Sequence, residues 1–224
     1  MRALIVGYGL IGKNLAHEFL ERDFEVVVID PFYKGDSSIS DNVLGVDLIT
    51  YLSSDFEKFN VVVNTAYPAK RDRIMDNNSL EQVAQAIKDA GELYMSFFLN
   101  LEKLLTTAGS LIQCASMYGV TLPRPEIYKQ GNRRTPPDYI FTKAGLIQSS
   151  KYFAKIYKRR FRINTISFGG VYNNHEDDFQ NSYGQFTFSG KMLDVSRVTD
   201  AICHLVENDA YTGVNVLLDD GFSL

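Results

Sequence analysis

The sequence predicts an α/β fold, a doubly wound parallel sheet with helices on both faces, in a single domain. Three observations predict it. Short apolar runs alternate with amphipathic helical stretches along nearly the whole chain. The run EVVVI at residues 25–29 is β-branched and apolar on both faces, as a strand buried inside a parallel sheet requires. The length of 224 residues, with 45% hydrophobic and 22% charged residues, suits one well-buried core, so residues 1–224 are expected to form one domain.

Residues 3–6 are a short apolar strand that runs into glycines, and Leu10, Ile11, Leu15, Phe19 and Leu20 mark one helical stripe over residues 10–22. Strands follow at 25–29, more weakly at 42–48, and at 61–63, with a helix-like stretch over 51–58. Ser79, with Glu81 and Gln82 in the first turn, starts a long helix expected to run towards Thr107, with Gly91 as a candidate kink. A strand at 109–114, a helix at 138–160, a strand at 162–166, a helix at 195–207 and a strand at 214–218 complete the alternation. Two long irregular stretches, 118–137 and 169–193, interrupt it; loops of that length in a compact domain usually serve function.

Composition narrows the partners. A net charge of −4 argues against a nucleic acid or an anionic membrane surface, since both select a positive field. The one basic run, KIYKRRFR at 155–162, carries Ile156, Tyr157 and Phe161 at helical spacing and reads as the solvated end of a helix. Cys114 and Cys203 are too few for a disulfide framework, and His17, His175 and His204 lack metal-ligand spacing, so no metal is expected. The first apolar run spans only about four residues before glycine breaks it, too short for a signal peptide or a membrane span. The expectation is a cytoplasmic protein in a reducing compartment.

Gly7-Tyr8-Gly9-Leu10-Ile11-Gly12 is G-x-G-x-x-G between the first strand and the first helix. In that setting Gly7 permits the tight turn, Gly9 admits a pyrophosphate near the backbone, and Gly12 lets helix and strand pack closely. The second strand ends in Asp30, where a carboxylate accepts hydrogen bonds from a ribose diol and repels a 2′-phosphate. This is a Rossmann-like dinucleotide site with NAD favoured over NADP. Asp47, at the end of the expected third strand, is placed to meet the adenine amine, and Asn64 and Ala66 follow the fourth strand, where small residues let a cofactor pass.

Tyr139 and Lys143 lie four residues apart near the start of a helix and so share a face. A free tyrosine, with a pKa of about 10, is a poor base at neutral pH. A neighbouring ammonium is expected to lower it and make proton exchange with an alcohol or ketone practicable. Ser116, just past the strand at 109–114, supplies a hydroxyl at the carboxyl edge of the sheet.

In order along the chain, VGYGLIGK, VVVID, VVVNTAYP, LIQCASMYG, YIFTKAGL, FRINTISFGGVY and TGVNVLLDDGFSL resemble the short-chain dehydrogenase/reductase family over essentially the whole length. The resemblance implies Tyr139 as the acid/base, Lys143 as ribose ligand and modulator of the tyrosine, Ser116 as the group that positions the substrate oxygen, and Val171 as a further cofactor contact. It also implies a homodimer or homotetramer. GLIGK, AYP, SMYGVTLPRPEIY, KMLD and DDGFSL are more narrowly similar to the polysaccharide-biosynthesis and flagellin-modification branch, which implies a sugar or nucleotide-activated amino sugar as substrate. The chain departs from the common family pattern in three places. Its turn is not T-G-x-x-x-G-x-G, Lys88-Asp89-Ala90-Gly91-Glu92 stands where many members carry a helix asparagine, and Phe168-Gly169-Gly170 replaces Pro-Gly.

Arg124, Glu126, Tyr128, Lys129, Arg133 and Arg134 in the stretch 118–137 form a group suited to an anionic, hydroxyl-rich substrate. Two other classes stay open: a dinucleotide-binding regulatory protein without turnover, and a nucleotide-sugar epimerase or dehydratase.

Overall fold

The computed structural model describes residues 1–34, 42–68, 79–128 and 135–224. Among these, seven parallel strands form one sheet in the order β3-β2-β1-β4-β5-β6-β7. They are β1 (Arg2–Val6), β2 (Glu25–Ile29), β3 (Val43–Leu44), β4 (Phe59–Asn64), β5 (Leu105–Cys114), β6 (Arg162–Phe168) and β7 (Asn215–Leu218). The helices are α1 (Leu10–Glu21), α2 (Leu48–Leu52), α3 (Leu80–Leu99), α4 (Leu101–Leu104), α5 (Pro137–Ile156), α6 (Asp177–Gly184) and α7 (Val195–Glu207). From β1 the chain builds outward to β2 and β3, then restarts at β4 and builds the other way. The carboxyl ends of β1 and β4 therefore flank the point where strand order reverses, the crevice in which open α/β sheets take ligands.

Alternate strand residues feed two cores, because side chains change face at every residue. Ala3, Ile5, Val28, Val63 and Ile112 pack with Leu15 and Phe19 of α1 and Val198 and Ile202 of α7. Leu4, Val6, Val62 and Leu111 face the other way, onto Tyr94, Phe97 and Phe98 of α3 and Leu146 and Ile147 of α5. Burying a side chain of this kind stabilises by about 1.5–3 kcal/mol, which far exceeds helix propensity. A smaller aromatic cluster, built from Met117, Tyr118, Ile127, Tyr183 and Phe222, lies outside both layers and has Tyr139 packed against it.

The structure shifts several expected elements. The third strand shrinks from 42–48 to two residues, and the helix expected at 51–58 forms earlier, as α2. Asp47 is the reason: its carboxylate accepts the Thr50 N–H at 2.8 Å and so nucleates a helix just after itself. The helix starting at Ser79 has its capping box with Gln82, runs through Gly91 without a break, and stops at Leu99 rather than at Thr107. Asn100 leaves helical geometry (φ −116°, ψ 18°), α4 adds one turn, and Leu105 already pairs with Phe59 in the sheet. Sheet pairing there overrides the helical period of LEKLL. The stretch 169–193 is not wholly irregular, since it contains α6 with Asp177 and Asp178 in its favourable first turn. Among the described residues no helix is long and apolar enough to cross a membrane.

Candidate active site

β1 runs into Gly7, whose φ of +100° is a conformation that only glycine adopts without strain. At Gly12 a Cβ would fall 1.9 Å from the Gly7 carbonyl oxygen, so any side chain there forces the turn and α1 apart. Gly9 is the N-cap of α1, with no side-chain cap and no acidic residue in the first turn. The N–H groups of Leu10, Ile11 and Gly12 thus have no acceptor within the helix, and with the helix dipole they suit an anion. Thr65, just beyond β4, donates to the carbonyls of Gly7 at 2.9 Å and Val6 at 3.1 Å and pins the turn from the far side. Asp30 completes the frame by accepting the N–H of Tyr8 at 2.7 Å and of Phe32 at 2.8 Å.

The remaining expected cofactor residues fall in different places. Ala66 is half-buried against Gly7, at the mouth of the crevice. Asn64 is fully buried; its amide donates to Gln113 Oε1 at 2.7 Å and its carbonyl accepts the Ala66 N–H at 3.0 Å, so it shapes the turn from inside. Val171 follows β6 and forms an isolated parallel bridge with Leu193. Asp47 does not end β3. It caps α2, and its carboxyl group is held below the usual range, chiefly by the Thr50 N–H.

On the same edge of the sheet, Ser116 follows β5, 5% exposed, and accepts the Tyr118 N–H at 3.2 Å at the head of a 3₁₀ turn, Met117–Gly119. That turn packs directly on α5: a Cβ at Gly119 would fall 2.9 Å from the Lys143 carbonyl. α5 opens with Pro137 in its first turn, where a missing N–H costs nothing, and Tyr139 and Lys143 follow one turn apart. Lys143 is buried, and its Nζ donates to the Cys114 carbonyl at 2.9 Å. Burial lowers its pKa to about 8.

Tyr139 corrects an expectation. Its pKa is raised, not lowered, because burial disfavours the phenolate more than hydrogen bonding from Ser116 favours it; Tyr128 adds to the rise. The Lys143 ammonium meets the Tyr139 ring, 5.7 Å from its centroid, while its hydrogen bond goes to the Cys114 carbonyl. The phenol is therefore protonated at neutral pH and set up first as an acid.

Two residues without an expected role also reach this centre. Tyr67 packs edge-on to Tyr139, with centroids 5.0 Å apart, and donates to Asp138 Oδ2 at 3.2 Å. Tyr94 of α3 brings its ring to Lys143. Tyr67 had a signal in the sequence, its place immediately after a strand end; Tyr94, one apolar residue among many on a long helix, had none. Arg124 takes a different part from the expected one. It donates to the carbonyls of Phe222 at 3.2 Å and Leu224 at 2.7 Å and lies over the Phe186 and Phe222 rings. These contacts hold it against the chain's own backbone and rings. Lys129, Arg133 and Arg134 lie outside the described residues.

A glycine turn at the reversal point of a parallel sheet, with serine, tyrosine and lysine converging on the same edge, defines the class of doubly wound dehydrogenases. Residues 10–223 match the family model described as enoyl-(acyl carrier protein) reductase, and the chain belongs to the short-chain dehydrogenase/reductase family of oxidoreductases. It is 25% identical over 185 residues to the post-translational flagellin modification protein A of Campylobacter coli, covering 75% of this chain and 70% of that protein. In fold it is similar to a short-chain dehydrogenase from Leptospira borgpetersenii with bound NAD+ (TM-score 0.80, 23% identity, 100% of this chain and 92% of that one). It is similar too to the ligand-free aldohexose dehydrogenase of Thermoplasma acidophilum (TM-score 0.81, 15% identity, 99% and 93%).

Proposed function

We propose that this oxidoreductase uses NAD to interconvert a hydroxyl and a keto carbon of a sugar, or of a nucleotide-activated amino sugar, in surface-glycan synthesis. The observation that carries the reading is one sheet edge holding both a dinucleotide cradle and the group of buried Ser116, half-buried Tyr139 and buried Lys143. The residues present fit the cofactor: the Gly7–Gly12 turn has no room for side chains at its ends, α1 opens uncapped, and a carboxylate stands at the tip of β2. NAD, when bound, supplies or receives the hydride. Tyr139 gives its phenolic proton to the substrate oxygen in reduction and takes it back in oxidation. Ser116 orients that oxygen, and Lys143 steadies the phenolate and the nicotinamide ribose. The bound NAD+ of the Leptospira relative supports the cofactor, and the flagellin modification protein of Campylobacter supports the glycan setting.

Asp30 gives the direct test. Its carboxylate would face the 2′-phosphate of NADP, so calorimetric titration should show NAD bound more tightly than NADP. Asp30→Ser should weaken NAD and narrow the preference. Equal or tighter binding of NADP to the parent would end the cofactor reading. Turnover of NADH or NAD+ against a panel of nucleotide-activated amino sugars tests the substrate, and silence across the panel would remove the sugar assignment. The same reading places the protein in the cytoplasm, consistent with Cys114 and Cys203 both being buried and unbridged; recovery in the periplasmic fraction would contradict it.

A further inference from the structure

Lys143 is 4% exposed, and among the described residues no carboxylate forms an ion pair with it. An ammonium so enclosed is strongly disfavoured unless something replaces its hydration. One replacement is the Cys114 carbonyl at 2.9 Å. The others are aromatic. Nζ lies 5.1 Å from the Tyr67 ring centroid, 5.7 Å from that of Tyr139 and 5.8 Å from that of Tyr94. All three fall within the roughly 6 Å at which a ring quadrupole attracts a cation.

The rings come from three separate parts of the fold: the segment after β4, α3 and α5. Two of them are coupled and the third is anchored in the core. Tyr67 is fixed edge-on to Tyr139 and by its bond to Asp138, while Tyr94 is 3% exposed in the core. Among the described residues no hydrogen bond of good geometry holds the Tyr94 hydroxyl, whose polar neighbour is Thr142. Phenylalanine keeps the ring and removes the hydroxyl, so that substitution separates the two contributions.

We propose that Tyr67 and Tyr94 join Tyr139 in a three-ring cage that keeps the Lys143 ammonium charged and aimed inside the reactive centre, which makes Tyr67 and Tyr94 positioning residues. The inference rests on Lys143 belonging to the dinucleotide and acid–base site. Burial drives the lysine towards its neutral form, down to about 8, and the rings oppose that loss of charge. The titratable groups around it are the Cys114 thiol, the three phenols, and Asp138 beyond Tyr67. Burial pushes Cys114 and Tyr67 up to about 12 and raises Tyr94 and Tyr139. Within this cluster Lys143 is the group that changes charge just above neutrality. Below its pKa it is a cation and holds the ribose; as pH rises through that value the grip is lost. Removing a ring removes stabilisation of the cation, lowers the pKa, and moves the loss to lower pH.

The experiment is NADH binding, followed by fluorescence titration from about pH 6.5 to 9.5 across the range where Lys143 titrates. It needs no substrate. The proteins are the parent, Tyr67→Leu, Tyr67→Phe, Tyr94→Leu, Tyr94→Phe and Lys143→Met. The parent should lose affinity with a midpoint set by Lys143, and Lys143→Met should bind weakly without that midpoint. Each leucine variant should move the midpoint down by about one pH unit, and each phenylalanine variant should restore it. The readout is the direction of the midpoint: a general loss of packing admits water to the ammonium and raises it, whereas loss of a ring lowers it. Leucine variants that titrate with the parent, or phenylalanine variants that shift as leucine does, would overturn the cage while leaving Lys143 in the site. A parent with no alkaline loss, or a Lys143→Met protein that keeps it, would overturn the site reading and the cage with it. Should Tyr94→Leu fail to fold by near-UV circular dichroism, the half-buried Tyr67 pair decides the question alone.

Discussion

Tyr139 shows how one side chain answers to opposing forces. Burial raises its pKa and Ser116 lowers it, and burial prevails, so the proton stays on oxygen until the substrate arrives. Tyr139→Phe removes that oxygen and keeps the ring, so the edge-on contact with Tyr67 and the face towards Lys143 should survive. Turnover should then fall by about 10²-fold or more, the usual scale for losing a general acid–base group, with NADH affinity little changed. Lys143→Met should lower turnover and weaken NADH as well. The double variant should lose far less than the product of the two, because the residues act as a unit. Steady-state rates on folded variants check this; a Tyr139→Phe protein with most of its turnover would mean that another group moves the proton.

Elements bring these residues together across long stretches of chain. β5 and its 3₁₀ turn carry Ser116 onto α5, and the absence of a side chain at Gly119 permits the contact. At the other end of the site, the 3₁₀ turn Pro125–Ile127 follows Arg124, which ties the last residues of the chain to the aromatic cluster beside Tyr139. Arg124→Ala removes two carbonyl contacts and the stacking on Phe186 and Phe222. Amide exchange at Phe222, Ser223 and Leu224 should quicken, and Tm should fall by several degrees, about 2–4 °C for each kcal/mol in a domain of this size. Lysine should not restore the parent, since an ammonium cannot lie flat on the rings. Unchanged exchange in Arg124→Ala would show that Phe222 packing holds this segment unaided.

At the scale of the whole molecule, α5 has a second face. Phe141, Tyr152 and Ile156 are 64%, 61% and 54% exposed and share one face of that helix, opposite the buried Lys143 and Ser150. Gly145 and Gln148 separate Phe141 from the Tyr152–Ile156 pair on this face, and exposed apolar groups so grouped suit an interface. We expect two copies to pair through it, and Tyr152→Asp to dissociate them by burying an unpaired charge. Sedimentation equilibrium measures it: a parent protein at the 25.3 kDa monomer mass across the micromolar range would refute the pairing.

Local chemistry decided much of this in advance. The glycine turn, Asp30 at the tip of β2, the capping box at Ser79 and the four-residue step from Tyr139 to Lys143 are short-range features, and the sequence alone determined the α/β class and the positions of these residues. Where pairing across the sheet competed with local preference, the sequence misled: Leu105 joins Phe59 in the sheet despite its helical neighbours. At Asp47 a local cap decided, so a helix begins where a strand was expected to end. Tertiary structure alone decided the protonation of the centre and the company of Lys143. Burial depends on which surfaces meet, and Tyr67, Tyr94 and Tyr139 stand far apart in the chain yet surround one ammonium. No local signal encodes that, because the energy of a buried charge is set by everything packed around it.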